Sequence, residues 1–302
     1  MKRKVALIGP STLMVSLPSK FVKKFGIKKG DELDVEEKGS SLTINIDKIT
    51  QGKSKNLDVH ELDVMLNRFI GACYKKGYDK ITVNFSSSNQ LKSMYNVIGT
   101  TWTGFEVVEH GKSHIVIKQV TELNKNDLAS MINRSILFLI STSDEALKAI
   151  EDRNNEYLKT VILRDPTQNK YCDFCRRVLN KFDVEDTNAK YYLSEQIERI
   201  GDFYRDLAKY ILENRINVGH KIIELNKEVN EYLRSFYSLY NKIDTNSFET
   251  FGKDYKKISK KIDENLVKAE KKDIQILAYL KMINEAIFNM NGALLVMHLE
   301  HI

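Results

Sequence analysis

The chain has 302 residues, 42% of them hydrophobic and 29% charged, with a formal net charge of +6. That length fits two or three domains. Three cysteines exclude a disulfide-stapled scaffold and suit a reducing cytoplasm, and the longest apolar runs, such as residues 136–140, are far short of the roughly 20 residues that cross a bilayer.

The charge is unevenly placed. Residues 1–30 carry Lys2, Arg3, Lys4, Lys20, Lys23, Lys24, Lys28 and Lys29 and no acid, so the other 272 residues sum to −2. A stripe this dense is the electrostatic footprint expected for a phosphate backbone. No long apolar segment follows the first basic residues, so no secretory leader is expected. Residues 4–7 and 13–17 read as short strands, separated by the turn chemistry of Gly9, Pro10 and Ser11. Pro18 stands near the start of a short helix over 20–25. Gly26 and Gly30 punctuate the next turn, and residues 31–36 and 42–46 form a hairpin around residues 38–41. A module this small buries too little to be stable alone, so a second copy is expected to complete its sheet.

The run Val15-Ser16-Leu17-Pro18, then Phe21, then Gly26-Ile27-Lys28-Lys29-Gly30-Asp31 and a final hairpin resembles the AbrB/MazE/SpoVT swapped-hairpin DNA-binding domain over about residues 3–46. The resemblance implies an intertwined homodimer whose sheet and loops approach DNA. Lys2, Arg3, Lys4 and the turn from Gly9 to Thr12 would then face DNA. Lys20, Lys23 and Lys24 would contact phosphates, which fix register without reading bases.

Residues 51–56 read as a polar linker. Leu62, Met65, Leu66, Phe69, Ile70 and Cys73 have helical spacing over 62–74. Residues 80–85 alternate as a strand with one buried face, and residues 89–97 form a second helix. Residues 105–108 and 113–118 form a hairpin around residues 110–112. Trp102 and Phe105 read as core, and His110 and His114 as surface residues without ligand partners. This small α/β segment shows no chemistry of its own and suits a coupling or effector role.

From Asn126 the apolar period is 3.6. It predicts helices over 127–150, 156–181, 190–211, 221–241, 248–270 and 273–299, six in all, arranged as two sets of three. Residues 192–202 can be laid without gaps on 279–289, an offset of 87, and both segments fall on the third helix of a set. Glu198 and Asp202, four apart, share one helix face, and such a pair repels unless a cation or basic partner shares it. Gly201, in mid-helix, costs about 1 kcal/mol relative to alanine and predicts close approach by another helix or a ligand. Cys172 and Cys175 form a lone CxxC that reads as buried thiols. No Gly-rich phosphate loop or Ser/His/Asp set is present, so an enzyme is not expected.

The string Glu198-Arg199-Ile200-Gly201-Asp202, in a six-helix layout, resembles the PhoU regulators of phosphate uptake over roughly residues 120–300. That family has two three-helix repeats with E(D)xxxD motifs that bind iron, zinc or other metal clusters in some members, and members joined to a swapped-hairpin domain occur in archaea. The resemblance implies a divalent metal or iron at Glu198, Asp202 and Asp165. The motif is degraded: its second-helix copy falls on Asp165 and Asn169, and the second repeat keeps Glu285 opposite Asn289. Asparagine is a poorer hard-cation ligand than a carboxylate. Asp165 and Pro166 also read as an N-cap and first helical residue.

The expected fold is therefore multidomain α+β: a swapped-hairpin β domain over 1–50, a small α/β domain over 51–120 and a PhoU-like six-helix bundle over 121–302. The expected function is a cytoplasmic, homodimeric DNA-binding regulator linked to phosphate uptake. The alternatives are a signalling adaptor that contacts a transporter or kinase without binding DNA, and an antitoxin.

Overall fold

The computed structural model describes residues 2–45 and 52–301. The chain divides into two compact units, residues 1–52 and 53–302. Ile46 and Gln51, and the domain boundary placed at residue 50, fall outside the described residues.

In the first unit, β1 (Val5–Ile8) and β2 (Thr12–Val15) form an antiparallel hairpin with Val5 opposite Val15 and Ile8 opposite Thr12. The turn between them uses Gly9 at φ +70°, a conformation that costs glycine nothing. Helix α1 (Ser19–Phe25) follows Pro18 and is closed by Gly26 in the left-handed conformation, whose N–H donates to the Val22 carbonyl. A second hairpin pairs β3 (Asp34–Lys38) with β4 (Ser41–Asn45). The two hairpins are separate two-stranded sheets.

The second unit begins with a strand. Residues 51–56 were expected as a linker, but β5 (Ser54–Asp58) pairs in parallel with β6 (Lys80–Asn84). Only Leu57 of β5 is buried, so the sequence offers no apolar alternation to read. The sheet runs β5-β6-β8-β7, with β7 (Phe105–His110) and β8 (His114–Gln119) antiparallel neighbours and a bulge between Val107 and Glu109. Helices α2 (Leu66–Lys75) and α3 (Ser88–Thr101) pack together beside it. Helix α2 starts four residues later than its apolar spacing suggests, because residues 59–66 form turns. Trp102 stacks on Tyr74 at 5.0 Å and meets Phe105 edge-on at 5.5 Å. All three rings are buried, as the sequence predicts for Trp102 and Phe105.

The rest is helical: α4 (Asp127–Glu151), α5 (Asn155–Ile162), α6 (Asp165–Lys181), α7 (Thr187–Glu213), α8 (His220–Asn241), α9 (Thr245–Leu266), α10 (Lys271–Asn289) and α11 (Asn291–His298). Two predicted helices are each broken once. Pro166 lacks an N–H and cannot continue a preceding helix, so α5 ends and α6 begins afresh with proline in its first turn. Arg164, between them, pairs both oxygens of Glu145 at 2.7 Å and lies over the Phe138 ring at 4.4 Å. The break at Met290 coincides with the Asn291 side-chain amide donating back to the Phe288 carbonyl, a bond that competes with the helical ladder.

The 87-residue offset is visible in the packing. Leu193 and Leu280, Ile200 and Ile287, and Ile197 and Asn284 are all buried on α7 and α10, which pack against each other. Asn284 satisfies its amide nitrogen on Ser259 Oγ at 3.0 Å. A second buried polar link joins three helices: Tyr204 donates to Asn230 Oδ1 at 2.7 Å, and Asn230 donates to the Ser143 carbonyl at 2.8 Å.

Candidate functional site

Two constellations carry the charged chemistry, one in each unit. In the first unit Lys2, Arg3 and Lys4 lead into β1, Thr12 opens β2, and Lys20, Lys23 and Lys24 lie on α1; all seven are exposed. Lys23 and Lys24 occupy the last turn of α1, where cations complement the helix dipole. The Lys28 N–H donates to Asp31 at 2.8 Å and fixes the turn that carries Lys28 and Lys29. Among the described side chains of residues 2–45 none is buried. Leu7, Leu13 and Leu42 are 63%, 69% and 71% exposed, and Val5, Ile8, Val15 and Val35 are exposed as well. Strand residues of this kind gain stability only when a further surface covers them.

In the second unit the acidic face of α7 is held by arginines. Arg176, 1% exposed, bonds Asp173 Oδ1 at 2.7 Å and also pairs with Glu195 and Glu198. Burial works against its charge, but Asp173 and Glu195 outweigh burial and hold the guanidinium above its ordinary pKa. One turn on, Arg205 joins Asp165 at 2.7 Å, Asp202, and Asp206 at 2.8 Å. Burial pushes the Asp202 carboxyl up to about 6, since the nearby Asp165 adds to it and Arg205 only partly opposes it. Arg199 does not pair with Glu195; it lies 5.5 Å over the Phe203 ring.

The three residues implied as metal ligands are therefore divided between two arginines. Asp165 and Asp202 meet on Arg205, while Glu198 turns to Arg176. The Asn169 side chain donates to Asp165 at 3.2 Å, and Glu285 and Asn289 are exposed. Guanidinium groups occupy the places a cation would take. Among the described residues no group of three or more His, Cys, Asp or Glu side chains could hold a metal ion, so this arrangement does not fit a cluster. Gly201 meets its predicted close neighbour: a Cβ there would lie 3.0 Å from Gln168 Cγ of α6. Cys172 and Cys175 are fully buried thiols, pushed up to about 12 by burial.

Arg177 is the residue the sequence reading passes over. It is completely buried and donates to the carbonyls of Tyr74 and Tyr78 at 2.7 and 2.9 Å, to Asp79 at 2.7 Å and to Gln119 at 2.8 Å. Its guanidinium also faces the Tyr74 and Phe105 rings. Burial lowers its pKa, and Tyr74 and Asp79 counter the fall. Lys181 adds bonds to Asp79 and Gln119, and Asn180 donates to the Lys75 carbonyl at 2.9 Å. The α/β segment is thus clamped onto α6. The signal was present: Arg176 and Arg177 interrupt an apolar stripe of Phe174, Cys175, Val178 and Leu179, where two unmatched charges need partners.

The chain thus joins an exposed basic hairpin unit to a helical unit with an α/β layer fastened to it. Residues 7–53 match the MazE family, described as antidote-toxin recognition in bacterial antitoxins. A solved structure, that of the phosphate transport system regulatory protein PhoU from Streptococcus pneumoniae, is similar at 18% identity with a TM-score of 0.46, covering 59% of this chain and 95% of that one. No curated protein matches the chain. Among the described residues no helix is long and apolar enough to cross a membrane.

Proposed function

We infer that the chain is a DNA-binding regulator that acts as a homodimer through its first fifty residues. The observation that carries this reading is the first unit itself: apolar strand residues left uncovered beside a stripe of eight basic side chains without an acid in residues 1–30. A second copy covers the strands, and the basic residues of both copies meet the phosphate backbone. The match of residues 7–53 to the MazE family supports the same reading. The string from Glu198 to Asp202 supports a link to phosphate uptake, with the helical unit contacting a transporter or signalling protein.

A mobility-shift titration at several salt concentrations tests it. Log affinity falls linearly with log salt, with a slope of about −0.9 per phosphate neutralised. Lys23→Ala lowers that slope by about one and weakens all sequences alike, whereas Arg3→Ala relaxes preference at one position at a cost of about 1–3 kcal/mol. A folded dimer that binds no DNA at low salt refutes the reading and leaves the adaptor role. The family match favours one second reading, in which the same dimer neutralises a protein toxin. Rescue of growth by this chain from a toxin encoded beside it, without any DNA binding, would favour that reading.

A further inference from the structure

Helices α4 and α7 end side by side at one end of the bundle, and both end in the same unusual way. Arg153 and Arg215 each sit just past the helix with φ near +50°, the position where glycine or asparagine is usual. In both loops the next N–H donates five residues back, Asn154 to the Ala149 carbonyl at 2.9 Å and Ile216 to the Ile211 carbonyl at 3.0 Å. An arginine here costs stability that glycine would not. Both arginines line one cavity of about 360 Å³. Neither guanidinium has a hydrogen-bond or ion-pair partner among the described residues. The one acid lining the cavity, Glu156, is matched by Lys159 at 2.7 Å. The wall between the charges is mixed: Asn155 and Asn217 extend its larger, polar part, and the half-buried Leu212 and Ile216 give it an apolar part.

The geometry points to a binding site for a small organic phosphate, a phosphomonoester with an apolar body, independent of whether the chain binds DNA. Two free guanidinium forks match the oxygens and the nearly doubled negative charge of a phosphomonoester at neutral pH. A single carboxylate would leave one fork unused. The volume is that of a small organic ligand rather than a bare ion, and the apolar part of the wall, at Leu212 and Ile216, gives its body a surface to cover.

Calorimetric titration of the full chain with phenyl phosphate, and with inorganic phosphate in a parallel arm, tests the site. The expected result is saturable binding of one phenyl phosphate per chain and weaker binding of inorganic phosphate. Arg153→Gly and Arg215→Gly should each lower affinity at least tenfold, and the double variant should abolish binding while melting no lower than the native chain. If glycine loosens the loops, Arg153→Asn and Arg215→Asn, which also accept this backbone, should give the same loss. Absence of phenyl phosphate binding, or binding unchanged in the double variant, overturns the proposal and leaves the arginines as partners of the two helix dipoles.

Discussion

Replacing Arg177 with methionine should detach the α/β layer from the bundle before the bundle itself melts. The side chain is completely buried and gives four hydrogen bonds, so its loss strips the Tyr74 and Tyr78 carbonyls and Gln119 of a shared donor. Asp79 keeps Lys181 and the Lys53 N–H, so it is not left alone. Breaking a buried ion pair from one side costs about 3–5 kcal/mol, and the partners retained by Asp79 place this case near the lower end, at about 3 kcal/mol. Trp102 is the only tryptophan and lies inside the α/β core, so its fluorescence reports on that layer, while far-ultraviolet circular dichroism is dominated by the helices. In urea the two signals should coincide for the native chain. In Arg177→Met the Trp102 transition should move to lower urea, ahead of the helical one. Arg177→Lys should fall between the two, since an ammonium keeps the charge but cannot fork across four acceptors. Coincident transitions with a loss below about 1 kcal/mol would refute the clamp.

Two further outcomes follow from the face of α7. The Asp202 carboxyl is raised to about 6 in the folded chain, above its ordinary value, so the native state holds more protons than the unfolded state between about pH 4 and 6. Its contribution to stability is therefore greatest below that window and is lost as the pH rises through 6. Asp202→Asn should stabilise the chain at pH 7 and flatten the change between pH 5 and 7, measured by urea unfolding; a steeper dependence in the variant would contradict the assignment. Gly201→Ala should destabilise by up to about 2 kcal/mol, since a cost of about 1–3 kcal/mol for the added methyl, which meets the buried Gln168 at 3.0 Å, is offset by about 1 kcal/mol of better helix propensity. A rise in melting temperature would show that α6 yields at no cost.

What could be read in the sequence was whatever a short-range signal encodes. Glycine and proline placed the first unit's turns, and the 3.6-residue period placed the long helices. The pair Leu193 and Ile200 fixed the face that α10 repeats with Leu280 and Ile287. Strand β5 escaped because an edge strand with one buried residue has no alternation, and only its partner β6 makes it a strand. The break at Met290 escaped for a related reason, since the apolar spacing continues past it, whereas Asp165 and Pro166 had marked a helix start beside the break at Arg164. The acidic face of α7 was legible as a repelling pair, and Gly201 as a close contact. The identity of the partners was not, because Arg176 and Arg205 reach that face from other turns and helices, and Arg199, the obvious neighbour, turns to a phenylalanine ring.

Consecutive residues on a helix point about 100° apart. Arg176 and Arg177 are consecutive, and α6 sends the first into the carboxylates of α7 and the second into the α/β layer. A helix fastened on two sides in this way behaves like a gear meshed with two others. A turn of α6 that would tighten one set of bonds would slacken the other.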